Sequence, residues 1–337
     1  MTVQHRPSDD ELTQFGIRFE DDEMRPYDPE EPSWNDSVFY DFYNEDGSTA
    51  GHLRIGALPN EGRVWFWLYL YRNGEWLVIE EPRVPFAELD PKTFGYDRAG
   101  LQFGRAIEEP LRTSRLWCSG FARVVSGPRA GRILPVSLDL QVEGIGPAHT
   151  VGDSGVEGHS SDGYDARRFE QPTAVEGKIS IEGNDEAFVG RGERDHSWGP
   201  RFWNMEWTLL IVNGPDYRQQ CVRAQFDEES FMDVGYLATP EGTEHVVKAE
   251  FDLDFRHDSL VEPFVGGVTI ETESGTTRTG RIENIACAEV YLEHMLDPPQ
   301  PTTYRRGVVR YVPDDGSEPS LGWIEYNRFP NGIPSSA

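Results

Sequence analysis

A chain of 337 residues with 59 acidic against 31 basic side chains carries a formal charge of -28. That balance repels nucleic-acid phosphates and anionic lipid headgroups, so neither is an expected partner. Hydrophobic residues (37%) and aromatics (12%) suffice for sizeable cores, the mean hydropathy of -0.58 gives a wet exterior, and no apolar run reaches the ~20 residues of a membrane helix.

The polar, acidic start from Met1 to Asp10 lacks a secretory pattern, which predicts a cytoplasmic protein without membrane insertion. Ser8-Asp9-Asp10-Glu11 before Leu12 has the capping-box pattern and predicts one short helix, ended by Pro26, Pro29 and Pro32. Residues 1–32 read as an acidic, loosely held lead segment. Strands follow at Val38 to Tyr43, Gly51 to Leu58, Arg63 to Tyr71 and Glu75 to Glu80, separated by Asp46-Gly47, Asn60-Glu61-Gly62 and Asn73-Gly74, the turn chemistry of successive hairpins. Within the third, alternation puts Trp65, Trp67, Tyr69 and Tyr71 on one face, with core on the other face and the rings suited to lining a cavity. Trp117 lies on a further strand, Leu116 to Val125, before Ile133 to Glu143.

The Gly-, Ser-, His- and Asp-rich stretch from Gly144 to Asp165 predicts a mobile loop. A second run of strands covers Gly177 to Glu182, Phe188 to Trp198, Trp203 to Val212, Arg218 to Phe226, Phe231 to Thr239, Val246 to Phe255, Val268 to Thr272, Cys287 to Leu292, Tyr304 to Val312 and Gly322 to Tyr326. No useful helical periodicity appears, so the class is all-β with closed or nearly closed antiparallel sheets. Length predicts two domains, 33–175 and 176–337, after the lead segment.

Cys118, Cys221 and Cys287 are widely spaced without a CxxC, which predicts buried, reduced thiols. Gly190-Arg-Gly192 and Gly144-Ile-Gly146 do not complete a nucleotide fingerprint, no nucleophile elbow occurs, and the histidines lack metal-ligand spacing, so no cofactor and no metal are expected. One segment breaks local rules: Gly190 to Trp203 packs charge, imidazole and indole into a strand, where propensity favours aliphatics. If extended, it puts Arg194, His196 and Trp198 on one face and Asp195 and Ser197 on the other. Such a face offers a proton carrier beside an indole; a structural histidine and Trp bound to backbone is the alternative.

The Arg194-Asp195-His196-Ser197-Trp198-Gly199 string resembles the signature of the hydroxyneurosporene synthase and AttH-like superfamily, with carotenoid 1,2-hydratases and fungal Diels–Alderases among its members. Ser33-Trp34, Arg63 to Trp67, Arg168 to Gln171 and Gly322 to Asn327 extend the resemblance over nearly the whole chain. It implies two lipocalin-like antiparallel β-barrel or curved-sheet domains packed side by side. It also implies a cofactor-independent enzyme of acid–base type, a hydratase, lyase, isomerase or cyclase acting on an apolar terpenoid, steroid-like or aromatic molecule between the domains. His196 is then the expected proton carrier and Asp195 its orienting group, Trp198 and Trp203 are pocket walls, and Arg194 or Arg201 anchors a polar substrate end.

Trp65, Trp67, Tyr69, Trp117 and Glu325 complete the expected binding set. The hydratase branch follows its motif with a Tyr-x-Asp acid; Cys221 to Asp227 contains no such element, and Glu206, Asp216 and Asp227 are the nearest carboxylates. A non-catalytic lipocalin-like binding protein for a hydrophobic ligand is the second reading, and a carbohydrate-active protein the third. A homodimer is compatible with each.

Overall fold

A computed structural model describes residues 6–150, 167–227, 230–255, 264–296 and 299–333. They divide between two compact units at Arg201/Phe202.

The first unit opens with a one-and-a-half-turn helix, α1 (Asp9–Thr13), capped as its sequence requires: Glu11 N–H donates to Ser8 Oγ at 3.2 Å, and Ser8 N–H to Glu11 Oε2 at 2.7 Å. Eleven strands follow: β1 (Trp34–Asn44), β2 (Thr49–Leu58), β3 (Arg63–Arg72), β4 (Glu75–Pro85), β5 (Tyr96–Arg98), β6 (Leu101–Glu109), β7 (Thr113–Val124), β8 (Ile133–Gly144), β9 (His149–Thr150), β10 (Arg167–Ile181) and β11 (Asn184–Pro200). They form one antiparallel sheet in the order β4-β3-β2-β1-β11-β10-β8-β7-β6-β5, with β9 on β10. Leu77 and Val78 of β4 also pair with Val124 and Arg123 of β7, so the sheet curls round to meet itself. Its inner face buries Val38, Tyr40, Leu53, Ile55, Phe66, Leu68, Leu116 and Leu140 in one core.

The expected boundary at 175/176 falls inside β10. The hairpin of β10 and β11 pairs with β8 on one side and β1 on the other, so the Arg194–Gly199 motif belongs to the first unit and not to a C-terminal domain. The lead segment is also tied down, with Leu12, Ile17, Asp21 and Asp22 buried. Of the stretch expected to be a mobile loop, 151–165 lies outside the described residues.

The second unit is a closed eight-stranded antiparallel barrel of β12 (Glu206–Asn213), β13 (Arg218–Gln225), β14 (Phe231–Thr239), β15 (Gly242–Phe255), β16 (Phe264–Thr272), β17 (Thr277–Glu289), β18 (Thr303–Pro313) and β19 (Ser320–Arg328). Leu210, Val212, Cys221, Ile270, Ile282, Val309, Tyr311 and Ile324 belong to its core. The fold is all-β, as the strand and turn pattern predicts, and its curled sheet and closed barrel match the lipocalin-like units that the resemblance implies. The three cysteines are buried, and burial alone pushes the Cys118 thiol well up. No helix among the described residues is long and apolar enough to cross a membrane.

Candidate functional site

Strand β11 presents its motif on two faces, as a period of two requires. Its inward residues, Arg194, His196 and Trp198, meet the lead segment and are fully engaged there. Arg194 donates from Nη1 and Nη2 to the two carboxylate oxygens of Asp22 (2.8 and 3.1 Å) and from Nε to Gln171 Oε1 (2.8 Å). Arg105 donates to Asp22 Oδ1 (2.7 Å) and to the Asp22 carbonyl (2.6 Å), and Leu111 N–H donates to Asp22 Oδ2 (2.7 Å). Burial pushes the Asp22 carboxyl up, but the two guanidiniums outweigh it and hold the group well below the usual carboxylate range.

His196 is 1% exposed, with Nδ1 2.8 Å from the Asp21 carbonyl and Nε2 2.8 Å from Asp36 Oδ1. A carbonyl only accepts, so Nδ1 carries a proton; the remaining nitrogen is occupied by a carboxylate that also takes Arg25 N–H at 2.6 Å. Trp198 packs with Leu12, Ile17, Leu111, Ala148 and Phe169, and the Arg25 guanidinium lies 5.7 Å from its ring. The proton carrier, anchor and wall expected at His196, Arg194 and Trp198 thus occupy a plug at one end of the sheet, with the polar groups of His196 and Arg194 committed to this chain's own residues.

The opposite face carries Asp195 and Ser197. Register aligns Glu170, Asp195, Phe39, Arg54, Trp67 and Glu80 as one cross-strand row from β10 to β4. Arg168 Nη2 donates to Asp195 Oδ2 at 2.9 Å and lies 2.5 Å from Glu170 Oε1. Ser197 Oγ is 2.9 Å from Ser37 Oγ and accepts from Arg201 Nη1 at 3.2 Å. The Arg54 guanidinium lies 4.8 Å from the Trp65 ring and 5.3 Å from that of Trp67, and it donates to Asn35 Oδ1 at 2.8 Å.

Trp65 and Trp67 meet edge to face at 4.6 Å. His52, opposite Tyr69 in the next row, stacks on that ring at 4.9 Å and accepts Trp67 Nε1–H at Nδ1 (3.0 Å), which leaves a neutral imidazole with its proton on Nε2. Trp65, Trp67, Tyr69 and Arg201 therefore share a face with Asp195. Trp117 does not join them: it is half-buried on β7, its ring against Gly104 and 5.8 Å from the Arg115 guanidinium.

The remaining expected residues belong to the second unit. Trp203 is buried just before β12. Glu206 accepts Phe329 N–H at 2.8 Å, and Glu325 accepts Trp207 Nε1–H at 2.7 Å and bonds Arg306. Asp216 and Asp227 are exposed, and Asp227 accepts the N–H (2.6 Å) and hydroxyl (2.9 Å) of Ser230. Both lie at turns of the second unit. Sequence reasoning left His52, Arg54, Arg168, Asp22 and Asp36 without a role. The run His52-Leu53-Arg54 carried a signal, because two bulky polar groups alternating with aliphatics share one strand face.

A family model described as a domain of unknown function (DUF7064) matches residues 18–330. The fold is similar to that of a protein from Nitrosomonas europaea assigned as AttH, with a TM-score of 0.61, 12% identity, and 96% of this chain and 98% of that one covered. Kievitone hydratase from Nectria haematococca superposes with a TM-score of 0.58 at 11% identity, covering 94% of each chain. The structure of CghA with Sch210972 gives 0.54 at 12% identity, covering 94% of this chain and 96% of that one. A search of curated proteins returns no significant match.

Proposed function

The chain belongs to the family described as a domain of unknown function (DUF7064), and on that footing we propose that it is an enzyme that moves protons on an apolar small molecule, with Asp195 as the proton-transferring group. The observation that carries this reading is the cross-strand row that sets a carboxylate, a guanidinium and an indole on one sheet face. Three strand spacings of about 4.8 Å separate Asp195 from Trp67, roughly 14 Å, the span of a terpenoid or fused-ring skeleton.

Arg168 Nη2 bonds Asp195 Oδ2 at 2.9 Å, and at 11% side-chain exposure the Asp195 carboxyl group sits in a weakly screened setting. It suits removal of a proton beside a C=C or C=O bond, with Arg54 stabilising the negative charge that develops. Such a step begins an isomerisation, a cyclisation or a loss of water, the reverse of hydration. The names of the similar structures support this range: one is a hydratase and another was solved with a small molecule.

Geraniol, progesterone and kievitone serve as probes in D2O. At least one of them is expected to incorporate solvent deuterium with the wild-type chain. Trp67→Leu should raise KM for that probe roughly tenfold with a smaller change in kcat, because it removes wall and not proton transfer. Binding of the probes without any deuterium uptake would contradict the enzyme reading and favour a binding protein.

A further inference from the structure

At the end of the first sheet opposite the Asp22 plug lies a cavity of about 300 Å³ that the proposed chemistry does not use. Its floor is apolar and continuous with the core: Ile179, Ile181 and Phe188 line it, and Phe188 meets Phe42 edge-on at 5.2 Å. Its rim is polar, with Arg72 beside the β3–β4 turn, Arg129 between β7 and β8, and Glu182 and Glu186 from the β10–β11 hairpin.

The two arginines differ in what holds them. Arg129 is fixed from below, since its backbone N–H donates to Glu75 Oε1 (2.9 Å) and its Nε to Glu75 Oε2 (2.8 Å), and Glu75 is buried. Arg72 bonds Thr49 Oγ1 and pairs with Glu186, whose side chain is 54% exposed. An exposed ion pair contributes little net stability, so another carboxylate can take the place of Glu186 at small cost if an apolar tail adds burial of its own. The cavity volume is at the small end for ligand sites, which fits a short chain or a single ring.

We propose that this end of the first unit binds a small amphipathic carboxylate, its tail on Ile179, Ile181 and Phe188 and its head on Arg72, with Glu186 as the internal competitor it displaces. A neutral molecule of the same shape gains the floor but not the head contact.

Calorimetric titration of octanoate and of octanol into the full chain tests this. Octanoate is expected to bind at one site and octanol at least tenfold more weakly. Arg72→Gln should weaken octanoate tenfold or more, and Glu186→Gln should tighten it several-fold, since the competing carboxylate is gone. Glu186 is exposed, so its variant decides the matter even if Arg72→Gln folds poorly. In methyl NMR spectra octanoate should shift Ile179 and Ile181. Failure of octanoate to bind, equal affinity of octanol, a Glu186→Gln variant that binds no tighter, or unmoved Ile179 and Ile181 methyls would each overturn the proposal.

Discussion

Asp22→Asn is expected to destabilise the first unit by about 3–5 kcal/mol, because it leaves the buried guanidiniums of Arg105 and Arg194 facing each other with no carboxylate between them. In a unit of this size that is roughly 10 °C or more in melting temperature. The loss should exceed that of any exposed pair such as Lys178–Asp185, whose side chains are 57% and 54% exposed. The same pairing fixes a pH dependence. The folded-state pKa of Asp22 is depressed, so its contribution is present above the unfolded carboxylate value of 3.8 and is lost as pH falls below that value. Melting curves of wild type and Asp22→Asn from neutral to acid pH check both points: the curves should converge on acidification. A variant that melts with wild type at neutral pH would show that the plug contributes nothing.

His196→Ala should cost about 3 kcal/mol, since it takes the histidine partner from Oδ1 of Asp36, 2% exposed, and removes the donor to the Asp21 carbonyl. A proton carrier at His196 would instead lose turnover with the fold intact. The geometry gives the opposite expectation: Nδ1 meets the Asp21 carbonyl of the lead segment, and Nε2 meets Asp36 of β1, which itself accepts Arg25 N–H. Limited proteolysis of His196→Ala should therefore cut first within residues 6–32, and thermal melting should show the loss directly. Wild-type resistance to protease and an unchanged melting temperature would contradict this assignment.

Much of the fold was legible because local chemistry and global pairing agree. Asn73 and Gly74 occur at φ 48° and 89°, the left-handed pair a tight hairpin needs, and the strands on either side pair as their alternation predicts. Phe66 packs in the first unit's core, as the alternation predicts, and Trp67 on the opposite face is buried as well. The domain boundary was hidden because the partner of β1 is a strand some 160 residues later, as the Ser37–Ser197 contact shows, and no local pattern encodes that pairing. β6 escaped notice because Gln102, Gly104, Arg105, Glu108 and Glu109 blur its alternation, and the polar run Thr277 to Glu283 concealed the first half of β17.

At the site, the period of two divided Arg194, His196 and Trp198 from Asp195 and Ser197, yet it could not say which face was structural. That depended on Asp22 and Asp36, acids in and just beyond a segment that reads as solvated until its burial is seen.

Asp195→Asn and His196→Gln assayed side by side, for melting temperature and for solvent-deuterium uptake per folded molecule, separate the two faces of the motif. Asp195→Asn should fold and melt close to wild type while losing on the order of 10²–10⁴-fold in exchange rate. His196→Gln should melt lower and keep its rate per folded molecule. An active Asp195→Asn beside a folded, inactive His196→Gln would contradict the account and return the chemistry to the His196 face.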